Sequence, residues 1–405
     1  MALLVGPTVK SDAYRAVMRI ALLLVLLVAS VHADPESIEQ RVKRQVDRYR
    51  AAAGLPEVEL DPTLGKGCME HAEYLKRNRN TSAVIGLAVH RQRPNLRGAS
   101  RAGALCAKGA SVFVGVSDLD VAVDDWIAGL YHRRPILSPT LQRIGVGYAK
   151  LRDGSLMAVL GFVDSDDPSD SAKWPVAYPG DKQIDVRLGV SNEIPNPIPG
   201  GGWIPGRAGN PITWQFPPFD KVTGVKAELA IAGTPVPFYL SSPDKPATTH
   251  QQPGMVCLIP KVPLLPQTSY DVHVEAVWNG TPISRSWSFT TVALRVVDAH
   301  DETAITNAIN VASTLRGRGV LAGWANRQIA FLQIGETKLQ RFKRISILIP
   351  RAVWSKLGGA KLVGKAIEVD GLPYLVEGKY LNVPIATASQ VRILNAQRGP
   401  GSKAE

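Results

Sequence analysis

The segment around Trp126 and His132 constrains the fold of this chain more than any other. Apolar residues recur there at the spacing of one helix face, at Leu119, Val123, Trp126 and Leu130. His132 stands six residues after Trp126. Two apolar runs, residues 143–151 and 155–163, then flank an Asp-Gly pair, which is typical of the turn in a hairpin. The segment therefore predicts a helix, a histidine-bearing loop and a β-hairpin, in that order.

Two more helices are predicted ahead of this segment. The first has an apolar face at three-to-four spacing, formed by Ile38, Val42, Val46 and Tyr49. The second begins at Asp61-Pro62, an N-cap residue followed by a proline at the first helical position. Its apolar face comprises Leu64, Cys68, Ala72 and Leu75. Helices stacked on a small antiparallel sheet predict an α/β/α sandwich over residues 35–164.

The block Trp126-Ile-Ala-Gly-Leu-Tyr-His132-Arg-Arg-Pro-Ile-Leu137, followed by Ile144-Gly-Val-Gly147, resembles the bacterial branch of the CAP superfamily (cysteine-rich secretory, antigen 5 and pathogenesis-related-1 proteins). The resemblance covers residues 37–163. It implies a CAP α/β/α sandwich whose central cavity is formed by two histidines and two acidic residues. In some members of the family this cavity binds a divalent metal.

The resemblance assigns the two cavity histidines to His90 and His132. It also places Ala110 and Gly129 where the acidic residues of other members stand. Two imidazoles without carboxylates favour only a weak cation site, so a divalent metal held by His90 and His132 is the one cofactor expectation. Ser111 is a further cavity candidate and a conceivable nucleophile near His90. The expected cavity therefore contains the two histidines without their acidic partners, and it holds an unknown ligand or no ligand.

The cysteines leave two possibilities open. Cys68 and Cys106 both fall in the first module and are the disulfide candidate, which would leave Cys257 single. The alternative is three buried free thiols. His71, on the second helix, is interpreted as a packed helix residue rather than a ligand.

Residues 1–33 are interpreted as a secretory signal peptide. Arg15 and Arg19 precede the apolar run Ile20–Val31, and a small-x-small exit ends at Ala33. The run is shorter than the roughly 20 residues that cross a bilayer. Met18 is a more typical start than Met1, and an uncleaved membrane anchor is the alternative. The prediction is a secreted, periplasmic or cell-envelope protein with no stable transmembrane segment after signal removal.

With 405 residues the chain is too long for one core, and further modules are expected. Residues 165–210 are rich in Asp, Pro, Ser and Gly and predict a linker. The period then changes to two, which predicts a β-sandwich over residues 211–292. Within it, Pro263–Tyr270 and the closing Trp287–Thr291 resemble bacterial Ig-like domains.

Residues 293–398 predict a small basic OB-like β-barrel module, followed by a tail at 399–405. Five short strands with a helical turn before the fourth match the element order of an OB-type barrel, and Leu362–Val369 resembles the fourth strand of such modules. The formal net charge of the chain is +12, and from Ala293 onward sixteen Lys and Arg stand against eight Asp and Glu. This excess favours an anionic partner such as nucleic acid or acidic glycan.

Aromatic and basic residues alternate in this last module, as in folds that stack bases and hold phosphates. The aromatic residues are Trp324, Phe331, Phe342, Tyr374 and Tyr380, and the basic ones are Arg327, Lys343, Arg344, Lys365 and Lys379. The same residues also suit a plain barrel core with a solvated surface, which is the preferred interpretation.

Taken together, the sequence predicts an exported, multi-domain α+β protein with a CAP domain, an Ig-like sandwich and an OB-like module. The first functional hypothesis is a non-catalytic extracellular or envelope binding protein with a degenerate cavity. The second is a secreted hydrolase acting on peptide or cell-wall polymer through His90 and His132. The third is binding of nucleic acid or acidic glycan by the basic last module. Motifs for a serine nucleophile elbow, a zinc-binding helix and a phosphate-binding loop are missing from the sequence.

Overall fold

The structure, a computed structural model, describes residues 36–165, 174–190, 193–199, 208–248, 253–309, 311–335, 344–376 and 380–394. The predicted signal peptide, with the Met18 start and the Ala33 exit, lies outside the described residues, as does the tail at 399–405. Among the described helices, none is long and apolar enough to cross a membrane.

The first module is a four-stranded sheet covered by helices on both faces. Its helices are α1 (Ile38–Ala52), α2 (Pro62–Arg77), α3 (Arg101–Ala107), α4 (Leu119–Ala128) and the short α5 (Arg133–Ile136). Its strands are β1 (Glu59–Leu60), β2 (Ser111–Val116), β3 (Leu141–Lys150) and β4 (Leu156–Asp164), in the order β1-β3-β4-β2. The predicted helix starts and the hairpin are present: the Asp61 side chain caps α2 through the Leu64 N–H at 2.9 Å.

Alternation along β4 produces two separate cores, one on each face of the sheet. Ala158 and Leu160 pack in one core with α1 and α4, whereas Met157 and Val159 pack in the other with α2 and α3. Three layers follow, which is the α/β/α sandwich expected from the sequence.

The glycines of Ile144-Gly-Val-Gly147 allow α2 to lie directly on β3. A Cβ at Gly145 would come within 2.7 Å of the Gly65 nitrogen, and one at Gly147 would overlap the Cys68 backbone. Any larger residue here would push the helix off the sheet, so the two glycines are required by the packing and not by a turn.

The second module is built from two sheets. One has the order β10-β11-β7-β5 and the other the order β6-β13-β12-β8-β9. Their strands are β5 (Val176–Tyr178), β6 (Gln183–Val186), β7 (Ile212–Gln215), β8 (Val222–Ile231), β9 (Thr234–Pro235), β10 (Phe238–Ser241), β11 (Met255–Pro260), β12 (Ser269–Trp278) and β13 (Thr281–Thr291). Between them lies one apolar core that includes Trp214, Phe216, Tyr270 and Phe289.

The linker prediction for residues 165–210 is wrong over much of its described part. β5 pairs with β7, and β6 pairs with β13, so this segment supplies one strand to each sheet. The two strands are only three and four residues long and stand among prolines and glycines. A pattern with period two cannot be recognised over so few residues, and the flanking turn residues dominated the prediction.

A buried arginine connects the first module to the second. Arg133 is fully buried and donates hydrogen bonds to the carbonyl oxygens of Ile127 at 2.6 Å and Pro211 at 2.5 Å. Its guanidinium also lies 4.6 Å from the centre of the Tyr178 ring. A second connection is the ion pair between Asp125 of α4 and Arg187, at 2.9 Å. The His132-Arg133 pair of the sequence motif therefore has a structural function in addition to the one expected of the histidine, because Arg133 holds the second module against the first.

The third module contains one eight-stranded sheet with the order β19-β20-β17-β16-β15-β18-β21, and β14 pairs with β15. Its elements are β14 (Arg295–Asp298), α6 (Glu302–Asn307), β15 (Ser313–Trp324), β16 (Ile329–Ile334), β17 (Arg344–Pro350), α7 (Arg351–Lys356), β18 (Ala366–Gly371), β19 (Tyr374–Val376), β20 (Tyr380–Pro384) and β21 (Val391–Ile393). Aliphatic side chains from β15, β16, β17, β18 and β20 form its core.

Candidate functional site

A small cleft of about 210 Å³ opens on the first module. Both predicted histidines line it: His90 ends the short helical turn Gly86–His90, and His132 lies in the loop between α4 and α5. The other lining residues are apolar, namely Val84, Gly86, Val89, Val112, Phe113, Val114 and Ile194. The fold therefore brings two imidazoles to one apolar cleft.

His132 has a carboxylate partner that the sequence did not suggest. The Nδ1 atom of His132 lies 2.8 Å from Oε1 of Glu193, whose side chain is fully buried. The same carboxylate accepts hydrogen bonds from the backbone N–H groups of Leu130 at 2.6 Å, Tyr131 at 2.6 Å and His132 at 2.9 Å. These four contacts fix both the loop and the plane of the imidazole, so the cleft contains more than two unsupported histidines.

Gly129 makes room for this carboxylate. A Cβ at Gly129 would lie only 2.7 Å from Oε1 of Glu193, closer than real Cβ atoms approach an oxygen. Gly129 is also the position where the resemblance expects an acidic side chain. Glu193 thus places a carboxylate beside Gly129, where the resemblance expects an acidic side chain.

Sequence reasoning missed Glu193 because it lies in the segment predicted to be a linker, sixty-one residues after His132. A glutamate among prolines carries no local pattern. The usable signal was indirect: a glycine at an acidic family position leaves space beside His132 that another part of the chain can fill.

The two aspartates next to Trp126 do not enter the cleft. Asp124 accepts a hydrogen bond from the Tyr49 hydroxyl at 2.6 Å, and Asp125 pairs with Arg187. Burial raises the pKa of Asp125 to about 6, and the guanidinium of Arg187 opposes that rise. Both carboxylates therefore support packing around α4.

His90 is held in its neutral form near neutral pH. Burial is the main reason that its pKa lies below the ordinary value of 6.5, and the nearby His132 lowers it further. A hydrogen bond with the backbone of Ala110 acts in the opposite direction. A neutral imidazole beside an apolar surface can donate one hydrogen bond and accept another.

A divalent metal does not fit this residue set. Within the described ranges, no group of three or more His, Cys, Asp or Glu side chains is arranged to hold an ion. His90 and His132 would supply only two ligands, since Glu193 already bonds Nδ1 of His132 and three backbone N–H groups. The expectation of a metal on His90 and His132 is therefore not supported by the donor set.

Ser111 lies elsewhere. It is the first residue of β2, it is only 3% exposed, and it is not among the residues that line the cleft. Ser111 thus does not line the cleft, and its role as a nucleophile beside His90 stays a prediction.

His71 positions the segment that carries His90. It is completely buried, its Nε2 atom lies 2.8 Å from the carbonyl oxygen of Val89, and its Nδ1 atom lies 3.2 Å from the amide nitrogen of Gln92. Its ring also stacks on Tyr74. Burial lowers the pKa of His71 to about 4. The structure thus gives His71 the packing role predicted for it.

This lowered pKa predicts an acid-sensitive fold. Because the folded pKa of about 4 is below the ordinary value of 6.5, the stabilisation is complete above pH 6.5 and is lost as the pH falls towards 4. Asp125 has a raised pKa and acts in the opposite sense over similar pH values. We therefore compare the wild type with His71→Gln, in which the loss of unfolding free energy on acidification should be smaller by about 1 kcal/mol per pH unit.

Chemical denaturation at several pH values between 7 and 4.5 measures this difference. Parallel curves for the two proteins would show that His71 does not titrate in this range.

Cys68 of α2 and Cys106 of α3 are joined by a disulfide in the structure. The third cysteine, Cys257, is free and buried in the second module, and burial raises the pKa of its thiol to about 12. The disulfide closes a loop that contains both His71 and His90. The disulfide thus constrains the segment that carries His90, whereas Glu193 holds the loop that carries His132.

In the third module, Arg344 and Tyr380 of the predicted aromatic and basic set are in direct contact, whereas Trp324 contacts Arg351, which was not in that set. The guanidinium of Arg351 lies 5.1 Å from the Trp324 ring centre, and that of Arg344 lies 4.9 Å from the Tyr380 ring centre. Phe342, Lys343 and Lys379 lie outside the described residues.

Comparison with known proteins identifies the first module. A search of curated proteins finds no significant match to the chain. The model of the cysteine-rich secretory protein family, known as CAP, matches residues 43–162. This range spans the helices, the hairpin and both cleft histidines. The family prediction from Trp126–Leu137 is therefore confirmed for this part of the chain, and residues 43–162 match the CAP family.

Proposed function

We propose that this chain is an exported binding protein whose CAP cleft takes a small ligand with an apolar body and one hydrogen-bonding group. The observation that carries the proposal is the lining of the cleft. Two imidazoles lie among six apolar side chains, and the described lining residues include no serine, threonine or cysteine. Clefts with mostly apolar walls and a few placed polar groups are typical of ligand sites.

Export is supported by three independent features. The sequence begins with a basic, apolar and small-residue pattern typical of a signal peptide. A disulfide of the kind formed between Cys68 and Cys106 persists in oxidising compartments. The family matched by residues 43–162 is described as secretory. A secreted, periplasmic or envelope location is the proposed one.

The second candidate function, a hydrolase acting on peptide or cell-wall polymer, is favoured by one observation. The Glu193 carboxylate orients the His132 imidazole through Nδ1, as in sites where a histidine acts as a general base on water. Binding remains the first proposal because the described lining residues offer neither a nucleophile nor a third metal ligand.

For the other modules we propose the folds expected from their sequences. Two packed sheets, antiparallel except for the parallel pairing of β6 with β13, support an Ig-like sandwich in the second module. In the third, β15 pairs with both β16 and β18, β17 runs parallel to β20, and α7 lies between β17 and β18. This connectivity supports an OB-like barrel.

The cleft can be tested with 1-anilinonaphthalene-8-sulfonate, whose aromatic body and single sulfonate match the proposed ligand chemistry. We expect saturable fluorescence enhancement, lost in Val114→Trp because the indole fills the cleft. Val114 is 45% exposed on β2, and Val296 is 51% exposed on β14. Val296→Trp is therefore the matched control and should bind as the wild type does. His132→Ala should weaken binding at least tenfold.

Equal binding by both tryptophan variants would reject the cleft as the binding site. A separate experiment tests the hydrolase alternative. Labelled casein and labelled peptidoglycan are incubated with the wild type and with Glu193→Gln, and the release of label is measured. Label release by the wild type alone would replace binding by hydrolysis as the function of the cleft.

A further inference from the structure

A second candidate site lies in the third module, on the face of its sheet that points away from the core. Along β16, β17 and β20 one set of alternate side chains is apolar and buried, including Leu332, Ile347 and Val383. The other set lines a pocket of about 270 Å³. This pocket is separate from the CAP cleft, and the proposed function does not use it.

Three uncharged polar side chains form a row across the floor of the pocket. Gln333 of β16 pairs with Ser346 of β17, and Ser346 pairs with Asn382 of β20. Adjacent strands are about 4.8 Å apart, so the row spans about 10 Å. An amide, a hydroxyl and a second amide thus point into one small space.

Gln333 and Ser346 are largely buried, but their polar atoms are not sealed off from the pocket that they line. They are 8% and 7% exposed, and within the described residues neither side chain has a hydrogen-bond partner. A ligand that enters the pocket can hydrogen-bond to both of these neighbouring groups, which no other described side chain satisfies.

One cation stands at the edge of the row. Arg344 lies two residues before Ser346 on β17, is exposed, and forms no ion pair with a carboxylate among the described residues. Its guanidinium is held over the Tyr380 ring at 4.9 Å. It is the only charged residue among those that line the pocket in the described part of the chain. The pocket therefore offers several neutral hydrogen-bonding groups and a single positive charge.

We propose that this pocket binds an anionic sugar unit, with its hydroxyl groups on Gln333, Ser346 and Asn382 and its carboxylate on Arg344. Hydroxyl-rich rings need both donors and acceptors, which amide and hydroxyl side chains supply. Arginine matches the planar geometry of a carboxylate.

A nucleic acid fits these observations less well. Binding of single strands relies on several cations along the backbone and on aromatic faces that stack the bases. Here one guanidinium lines the pocket, and it covers one face of Tyr380 itself. Elsewhere in the module, Arg316 and Arg392 are paired with Glu368 and Asp370. The basic excess of the sequence is thus partly neutralised.

Titration calorimetry of the full chain at low salt tests the proposal with galacturonic acid and trigalacturonate as probes. We expect saturable binding of at least one of them, and at least tenfold weaker binding of galactose, which lacks the carboxylate. Tighter binding of trigalacturonate than of galacturonic acid would identify a polymer as the source of the sugar unit. Equal binding of the two probes would identify a free sugar acid as the ligand. A thymidine oligonucleotide is the competing probe.

Two variants assign the binding to the pocket. Arg344→Gln should abolish the preference for galacturonic acid over galactose. Gln333→Met should weaken the binding of galacturonic acid at least tenfold. Arg295→Gln, an exposed arginine of β14 in the same module, is the control and should bind as the wild type does.

The proposal fails if neither acidic sugar binds, or if both pocket variants bind as the wild type does. It also fails if the oligonucleotide binds more tightly than the sugars and loses its affinity in Arg344→Gln.

Discussion

Replacement of Arg133 by alanine is expected to lower the free energy of unfolding by about 3–5 kcal/mol. The guanidinium is completely buried, and it donates hydrogen bonds to carbonyl oxygens of Ile127 in the first module and Pro211 in the second. The variant removes the guanidinium donor from both oxygens, leaving Pro211 with only a long hydrogen bond from the Asn210 amide at 3.4 Å, and it leaves a cavity beside Tyr178. Part of this loss is offset because alanine removes a cation from a buried site, where burial already lowers the pKa of Arg133.

The form of the transition should change as well. Because Arg133 connects the two modules, its loss should separate one unfolding transition into two, visible in calorimetry. The neighbouring Arg134 is the matched control, since Arg134→Ala removes the same charge from a half-buried position and should cost less than about 1 kcal/mol. A single transition with unchanged stability in Arg133→Ala would show that the contact does not hold the modules together.

The helices and the hairpin of the first module could be predicted because their signals are local. An apolar face such as Leu119 to Trp126, or an N-cap such as Asp61, depends on residues within a few positions of one another. The glycines at 145 and 147 were recognised as part of a family pattern, but their reason, contact with α2, appears only when helix and sheet are together.

The contacts that define the site could not be predicted in the same way. Glu193 reaches His132 from sixty-one residues away, and Arg133 reaches Pro211 from seventy-eight. Nothing in the local sequence of a proline-rich segment encodes such pairings. The composition that predicted a linker also describes a segment with two short strands and a tight turn, since prolines and glycines mark both.

The site therefore differs from its sequence-based expectation in one particular way. Ala110 and Gly129 suggested a cavity that had lost both acids. In the structure, a carboxylate from the second module lies beside Gly129, so the completeness of the cleft depends on the contact between two modules. Loss of Arg133 should consequently disturb the cleft as well as the fold.

Removal of the disulfide is the second large effect that we expect. The bond joins cysteines 38 positions apart, and cross-linking a loop of this length stabilises a fold by about 4 kcal/mol through the unfolded chain. The double variant Cys68→Ala, Cys106→Ala should therefore lose about 3–4 kcal/mol of unfolding free energy in urea denaturation. Reduction of the wild type with dithiothreitol should reproduce this loss, and the double variant should not respond to the reagent.

The loop closed by this bond contains His71 and His90, whereas His132 and Glu193 lie outside it. Reduction should therefore weaken binding of the anilinonaphthalene probe at concentrations of urea that leave the second module folded. Cys257→Ala provides the control, because its free thiol lies in the second module and its loss should leave the sensitivity to dithiothreitol intact. If reduction changes neither stability nor probe binding, the position of His90 depends on the His71 contacts alone and not on the covalent link.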